Sequence, residues 1–265
     1  MKKQLRYAFL VVGLGMVLAA PQLAAQSLKG MSLNGATGLM SIPSGRIGWE
    51  HSADLGFDLG YHAIFDDGDT AHIPKASISL FKLGEISIAY DTNRSSDDNV
   101  MIIGGKIGLP TGRTSVAIGG NVQLIETVAK DYNNQQVYLA ATYPGSFFGM
   151  PAETTVVVGK TFGDFGSGTG DEDIDFGMGF DLQLFPDVFQ GYVHWINDFA
   201  NFSYSSYPVG ANAGDRGVFN TGIRIDIAAN PALSRYKFVI DAMLTDALDE
   251  NRAFALGLAF GAPIF

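Results

Sequence analysis

Hydrophobic and polar residues alternate along much of this chain with a period of two. In residues 52–65 every odd position from Ala53 to Phe65 is apolar, whereas the even positions include Asp54, Asp58 and His62. Successive side chains of a β-strand point to opposite faces, so the pattern predicts a strand with one apolar and one polar face. The alternation recurs and predicts twelve strands, at residues 52–64, 71–82, 85–93, 99–109, 114–126, 136–143, 153–162, 173–184, 189–199, 216–228, 236–245 and 252–262.

The connections between these strands are of two kinds. Those after odd-numbered strands are polar and mostly acidic, as at residues 94–98 and 163–173, whereas those after even-numbered strands are short and mostly contain proline. Outer-membrane barrels combine short periplasmic turns with longer external loops. The sequence therefore predicts both chain ends on the periplasmic side and the acidic loops outside.

These features predict an all-β fold, a closed antiparallel transmembrane β-barrel of about twelve strands within a range of roughly 10–14. We expect residues 52–265 to form the barrel. A soluble all-β domain is the alternative, since its half-buried strands also alternate. The second face of nearly every strand is polar or glycine-rich, too hydrated for a packed core, and this favours the barrel.

The N-terminal residues 1–25 have the features of a secretory signal peptide. Lys2, Lys3 and Arg6 precede an apolar run that ends near the small residues Ala24 and Ala25. The predicted location is the bacterial outer membrane, with lipid as the outer partner. Residues 26–51 have three interpretations: a periplasmic lead-in, a plug inside the barrel, or a further strand.

Composition excludes several classes of protein. The chain has no cysteine, which excludes disulfides, thiolate metal sites and a lipidated N-terminal cysteine. Removal of the signal peptide leaves 14 of the 17 Lys and Arg residues against 27 Asp and Glu residues, a net charge of −13. Phosphate backbones require basic surfaces, so we expect no nucleic-acid partner.

Polar positions on the second face of the strands are candidates for lining the lumen. Carboxylates outnumber bases among them, and an acidic lining favours cations over anions. Frequent inward glycines favour open volume, although carboxylates that pair with the few bases would instead close the lumen. The candidates are Asp54, Asp58, His62, Asp91, Lys106, Asp173, Asp175, Asp181, Arg224, Asp226 and Asp241.

No motif singles out a catalytic nucleophile, a cofactor or a metal. The chain has four histidines but no G-x-S-x-G sequence, so we predict no enzyme and no cofactor. A barrel hydrolase is the alternative, and it would depend on His62 or His194. The acidic loop around Asp171 misses the spacing of a calcium loop, so we predict no metal site.

The segment from Gly35 to Arg46, GATGLMSIPSGR, resembles the opening of YjbH-type outer-membrane β-barrels, which are linked to exopolysaccharide export. The remainder is similar to small OmpW-like and porin-like barrels. The terminal Phe265 resembles the ending that the barrel assembly machinery recognises, which makes that machinery an expected partner.

The predicted function is a passive pore for small hydrophilic solutes with mild cation preference. The alternative is a structural or surface-interaction barrel with a plugged lumen, whose loop carrying Tyr204 and Tyr207 contacts partners.

Overall fold

The structure, a computed structural model, describes residues 29–66, 69–93, 99–128, 131–163, 174–205, 213–250 and 252–264. The predicted signal peptide, Asp173, Tyr207 and Phe265 lie outside these residues. Twelve antiparallel strands form one closed barrel. They are β1 (Leu55–Asp66), β2 (Asp69–Leu80), β3 (Gly84–Asn93), β4 (Asn99–Leu109), β5 (Ser115–Glu126), β6 (Tyr132–Phe147), β7 (Met150–Gly163), β8 (Asp175–Gln183), β9 (Val193–Ala200), β10 (Val218–Asp226), β11 (Lys237–Thr245) and β12 (Ala253–Pro263).

Short helical turns occupy three of the connections. Helix α1 (Pro186–Phe189) joins β8 to β9, helix α2 (Ala213–Arg216) precedes β10, and two 3₁₀ turns, Ile227–Ala229 and Pro231–Leu233, join β10 to β11. None of the helices in the described ranges has the length and apolarity to cross a membrane. We call the end of the barrel with the connections after even-numbered strands the short-turn end, and the opposite end the long-loop end.

Each strand pairs with its sequence neighbours, and β1 pairs with β12 to close the sheet. The closing register runs from Gly56 opposite Pro263 to Phe65 opposite Phe254. Closure satisfies the backbone hydrogen bonds of both terminal strands and leaves no open sheet edge, the condition for a β-structure that spans a membrane.

The outer face carries the apolar residues predicted by the alternation. Along β12, Phe254, Leu256, Leu258 and Phe260 are exposed, whereas the residues between them are buried inside the barrel. Exposed isoleucines and valines continue this belt around the other strands. An apolar exterior around a closed sheet is the surface of a membrane-spanning barrel. The prediction of a twelve-stranded transmembrane barrel is confirmed.

Several predicted strand boundaries differ from the structure by up to four residues, and two of these differences have a clear cause. The polar residues 132–135 were assigned to a loop but extend β6, where they pair with Ile125–Val122 of β5. A barrel strand that continues beyond the lipid can carry polar residues on both faces. The predicted start of the ninth strand at residue 189 lies in helix α1, which Pro186 initiates, so that β9 begins at Val193.

Residues 29–51, which we call the inner segment, lie inside the barrel. The segment folds back on itself through backbone bridges between Met31 and Thr37 and between Gly38 and Pro43. Its first part lies at the short-turn end, where Lys29 pairs with Asp226 at the end of β10. Its middle reaches towards the long-loop end, where the Ser41 amide donates to Asp198 of β9. Its last part returns to the short-turn end, where Trp49 contacts Asp58 of β1.

Inward glycines provide the space that side chains of the inner segment fill. A Cβ atom at Gly56 would lie 2.5 Å from the indole of Trp49, and one at Gly60 would lie 2.8 Å from the Met31 sulfur. A Cβ atom at Gly177 would lie 2.6 Å from Ile42. The volume that these glycines free is therefore occupied by the inner segment.

An apolar cluster fills the long-loop half of the lumen. Buried Leu33, Leu39, Met40 and Ile42 of the inner segment belong to this cluster. The cluster also includes the inward strand residues Ile64, Ile73, Ile102, Ile196 and Met243 and the residues Phe202 and Tyr204 after β9. The expectation that the second face is too hydrated for a packed core was wrong in this half, because the inward positions of several strands change from polar to apolar there.

Candidate lumenal site

Most of the predicted lumenal residues are buried inside the barrel, among polar side chains that we call the lumenal network. The buried ones are Asp58, His62, Asp91, Lys106, Asp175, Asp181, Arg224, Asp226 and Asp241. Asp54 lies elsewhere, because β1 begins at Leu55. The Asp54 side chain is 72% exposed at the short-turn rim and pairs with Lys82 at 3.3 Å.

Sequence reasoning missed several charged groups of this network. Glu85 and Glu153 occupy inward-facing positions of their strands. Each is the first residue of a predicted strand, where the alternation gives the least information on which face a side chain occupies. Lys75 follows Pro74, and Asp198 is the last residue of the irregular sequence WIND, so alternation is weak around both. Arg46 belongs to the inner segment and has no strand parity. The buried charged residues outside the predicted set are Arg46, Lys75, Glu85, Glu153, Asp198, Lys237 and Asp246.

The short-turn half of the network consists of ion pairs. Arg224 donates to both oxygens of Asp241 at 2.8 Å and to Asp181 at 3.4 Å. Lys237 donates to Asp58 at 3.0 Å, and the same carboxylate accepts the indole N–H of Trp49 at 3.1 Å. Because buried charges are costly unless paired, these contacts fix the inner wall in one arrangement.

Arg46 ties the end of the inner segment to the wall. Its guanidinium donates to Glu153 at 2.7 Å, to Glu50 at 2.9 Å and to Ser115 at 2.9 Å. Burial lowers the pKa of Arg46, but the carboxylates of Glu153 and Glu50 raise it more, so that the pKa lies above its ordinary value. The side chain is therefore a fixed positive charge.

Glu85 and Lys106 face the same part of the inner segment. They are register partners on β3 and β4, and their charged atoms lie 3.6 Å apart. The Glu85 carboxylate accepts from the Thr37 amide at 2.6 Å, the Thr37 hydroxyl at 2.8 Å and the Gly48 amide at 2.9 Å. Lys106 donates to the carbonyls of Thr37 at 2.8 Å and Ser44 at 3.1 Å.

Two buried carboxylates in the long-loop half have neutral hydrogen-bond partners, whereas Asp246 at the end of β11 pairs with Arg216. Asp175 accepts from Gln136 at 2.7 Å and Thr161 at 2.6 Å. Asp198 accepts from Asn220 at 2.7 Å and from the Ser41 amide at 2.7 Å. Negative charge is therefore less compensated towards the long loops than towards the short turns.

Tyr204 lies inside the barrel on the long-loop side. It is 2% exposed, and its hydroxyl donates to Gln136 at 2.6 Å. Burial raises the pKa of Tyr204 well above its ordinary value, so the phenol stays neutral. Its position in the interior contradicts the expectation that Tyr204 contacts partners at the cell surface. Residues 201–205 turn inward, and Phe202 and Tyr204 bury their rings against each other, with centroids 5.6 Å apart.

A cavity of about 330 Å³ opens at the short-turn end, between the last part of the inner segment, the turns that precede β3 and β5, and the last part of β6. Its lining includes Arg46, Glu50, His51, Arg113 and Tyr143. Arg46 and Ser115 lie between this cavity and the packed interior. In that interior the inward side chains are almost fully buried. Asp175 is 0% exposed and Lys106 is 3% exposed.

The two inward histidines have different surroundings. His194 lies 2.5 Å from Asp181 through Nδ1 and 3.0 Å from the Gly191 carbonyl through Nε2. His62 is buried with both ring nitrogens unpartnered, 3.9 Å from the nearest oxygen of Asp241. Within the described part of the chain, no group of three or more His, Asp or Glu side chains is arranged to hold a metal ion.

Comparison with known proteins identifies the fold. A KdgM porin solved in complex with disordered oligogalacturonate aligns with 77% of this chain and 98% of its own, at a TM-score of 0.51 and 9% identity. The outer membrane protein Omp33 of Acinetobacter baumannii aligns with 79% of this chain and 98% of its own, at a TM-score of 0.48 and 15% identity. The NanC porin aligns with 79% of this chain and 100% of its own, at a TM-score of 0.48 and 9% identity.

No family model and no curated protein matches the chain. The resemblances to YjbH-type and OmpW-like barrels therefore gain no support from these comparisons. Identities this low show the architecture alone, and the KdgM alignment carries that conclusion. The closed barrel, its apolar belt and this likeness place the chain among the outer-membrane β-barrels of porin-like fold.

Proposed function

We propose that the protein is an outer-membrane channel for small hydrophilic solutes, and that the inner segment closes it in the conformation described above. The observation that carries the proposal is that a separate segment, and not strand side chains alone, fills the lumen. Strand side chains alone do not fill this barrel, because inward glycines leave volume that the separate inner segment occupies. Twelve strands lie between the eight of side-chain-filled barrels and the sixteen of open porins. Movement of the inner segment would expose an aqueous path lined by charged side chains.

Mild cation preference is part of the proposal. Asp175 and Asp198 lack a basic hydrogen-bond partner in the contacts described above, whereas the bases of the short-turn half are paired with carboxylates. A path through the long-loop half would therefore pass uncompensated negative charge, which raises the local cation concentration.

The test is single-channel recording of the refolded chain in planar bilayers. We expect long closures interrupted by brief openings, and more frequent openings in the Trp49→Ala variant, which loses the indole that anchors the end of the inner segment. In a KCl gradient the reversal potential should indicate preference for potassium, and the Asp175→Asn and Asp198→Asn variants should reduce it. The absence of conductance steps from both the wild-type chain and Trp49→Ala would refute a channel, and anion preference would refute the selectivity.

A structural barrel is the second candidate, and the apolar cluster in the long-loop half favours it. Leu39, Ile42 and Phe202 bury apolar surface that a moving plug would have to expose. In a purely structural barrel the inner segment is a permanent core. Such a protein would remain non-conducting in every variant that keeps the barrel folded, which separates it from the channel.

A further inference from the structure

Two neighbouring wall residues, Glu85 and Lys106, contact the inner segment almost entirely through its backbone. Glu85 accepts two of its three hydrogen bonds from amides, and Lys106 donates to two carbonyls. Substitutions in the inner segment leave its backbone amides and carbonyls in place. The contact therefore depends mainly on the side chains of Glu85 and Lys106.

The pair joins both arms of the inner segment. Thr37 lies in the first arm, whereas Ser44 and Gly48 lie in the returning arm, and the Ser44 amide donates to the Thr37 carbonyl at 2.9 Å. Glu85 contacts Thr37 and Gly48, and Lys106 contacts Thr37 and Ser44. One oppositely charged pair thus holds the segment in its folded-back form and in its position against β3 and β4.

Burial strengthens these contacts. Both charged groups are fully shielded from solvent, with side-chain exposures of 0%. Hydrogen bonds to ionised groups are stronger than neutral ones, and a backbone amide left facing a buried position without an acceptor is unfavourable. The 3.6 Å separation between Glu85 and Lys106 is longer than their hydrogen bonds to the segment. Each of the two side chains therefore lies closer to the inner segment than to the other side chain.

We propose that Glu85 and Lys106 form a latch that retains the inner segment in the lumen. The latch deepens the proposed channel function, because its release would be the step that opens the path. Retention itself concerns only the position of the segment, so it is testable without any measurement of conductance.

The absence of native cysteine makes that position measurable. In an Ala36→Cys variant the new thiol replaces a small side chain that is 3% exposed within the inner segment. The labelling rate of the folded, detergent-solubilised protein with a water-soluble maleimide then reports how often the segment leaves the lumen. A Thr111→Cys variant, in the exposed turn before β5, gives the rate for an accessible thiol.

We expect Glu85→Gln to raise the labelling rate of the Ala36→Cys thiol by about tenfold or more. Loss of a charge-assisted hydrogen bond should increase, by about that factor, the fraction of molecules in which the inner segment has left the lumen. The glutamine amide would place donors against the donors of Thr37 or Gly48. The matched control is Asp175→Asn, which alters a buried carboxylate whose partners, Gln136 and Thr161, both belong to strands. This control should leave the rate unchanged.

Lys106→Met distinguishes a latch from a simple ion pair. If the two residues only neutralise each other, the double variant Glu85→Gln, Lys106→Met should return to the wild-type labelling rate. If each holds the segment, the double variant should label at least as fast as the faster single variant. Heat-modifiable gel mobility verifies that each barrel is folded, and Thr37→Val tests the same contact from the segment if Glu85→Gln does not fold.

Wild-type labelling rates in both Glu85→Gln and Thr37→Val, or recovery in the double variant, would overturn the latch. Faster labelling without conductance would support the latch and refute the channel. Conductance with unchanged labelling would support the channel and refute the latch.

Discussion

Replacement of Arg224 by methionine should lower the free energy of unfolding by about 3–5 kcal/mol, the range for a buried ion pair that loses one partner. Arg224 is 1% exposed and donates to Asp241 and Asp181. Methionine retains most of the apolar stem but leaves both carboxylates in the packed interior without their cation. The inner segment also packs on this group, since a Cβ atom at Gly30 would lie 1.9 Å from the guanidinium.

Denaturant titration of the refolded barrel in detergent measures this effect. Arg113→Met is the matched control, because Arg113 is exposed in the turn before β5 and the same substitution there should change stability by less than about 0.5 kcal/mol. A loss at Arg224 as small as that of the control would mean that water reaches Asp241 and Asp181, and that the interior is not packed as described.

The second large effect concerns the contact between Trp49 and Gly56. Gly56→Val should destabilise the barrel by about 1–3 kcal/mol through overpacking, and Trp49→Ala by about 3–5 kcal/mol through loss of a buried aromatic side chain. The indole lies over the inward face of β1, accepts a cation–π contact from Lys237 at 4.6 Å and donates to Asp58. Because the valine would occupy space that the indole vacates, the double variant should lose at least about 1 kcal/mol less than the sum of the single losses.

Gly112→Val is the matched control for this cycle. Gly112 lies in the turn before β5, and a Cβ atom there would meet no other atom within 4 Å. The control should be close to neutral in the same titration. Additive losses at Trp49 and Gly56 would show that the inner segment does not lie against β1.

The architecture of the barrel followed from the sequence because lipid and lumen impose a period of two on every strand. Alternation such as that of Phe254 to Phe260 located most of the twelve strands, although residues 71–82 and 189–199 alternate poorly, and the two kinds of connection indicated their antiparallel order. Boundaries were less predictable at the long-loop end of β6, since residues 132–135 carry polar side chains on both faces and give no hydrophobic signal.

The interior was predictable only in part. Parity identified residues such as Asp58 and Arg224 as inward-facing, but it gave no information on what they contact. The contacts of Glu85 and Lys106 are mainly with backbone atoms of the inner segment, and no side-chain pattern in the sequence indicates such partners. The irregular sequence of residues 29–51 has no periodicity from which a position inside a barrel could be derived.

One signal of the packed lumen was present in the sequence. Ala63, Ile64 and Phe65 are three consecutive apolar residues, and Ile102 and Ile103 interrupt alternation in β4 in the same way. Where both faces of a strand are apolar, both must be shielded from water. These departures from alternation occur at the long-loop halves of the strands, where the apolar cluster lies.

The seam between β1 and β12 determines how the inner segment comes to be enclosed. The segment directly precedes β1, so the sheet can curl around it and seal when the last strand pairs with the first. No threading through a finished ring is required. Both arms of the inner segment lead to the short-turn end of the barrel, so the segment can be withdrawn through that end without forming a knot. A pulling force on the chain before Lys29 would peel the first arm away from β10 before it reaches the contacts of the returning arm.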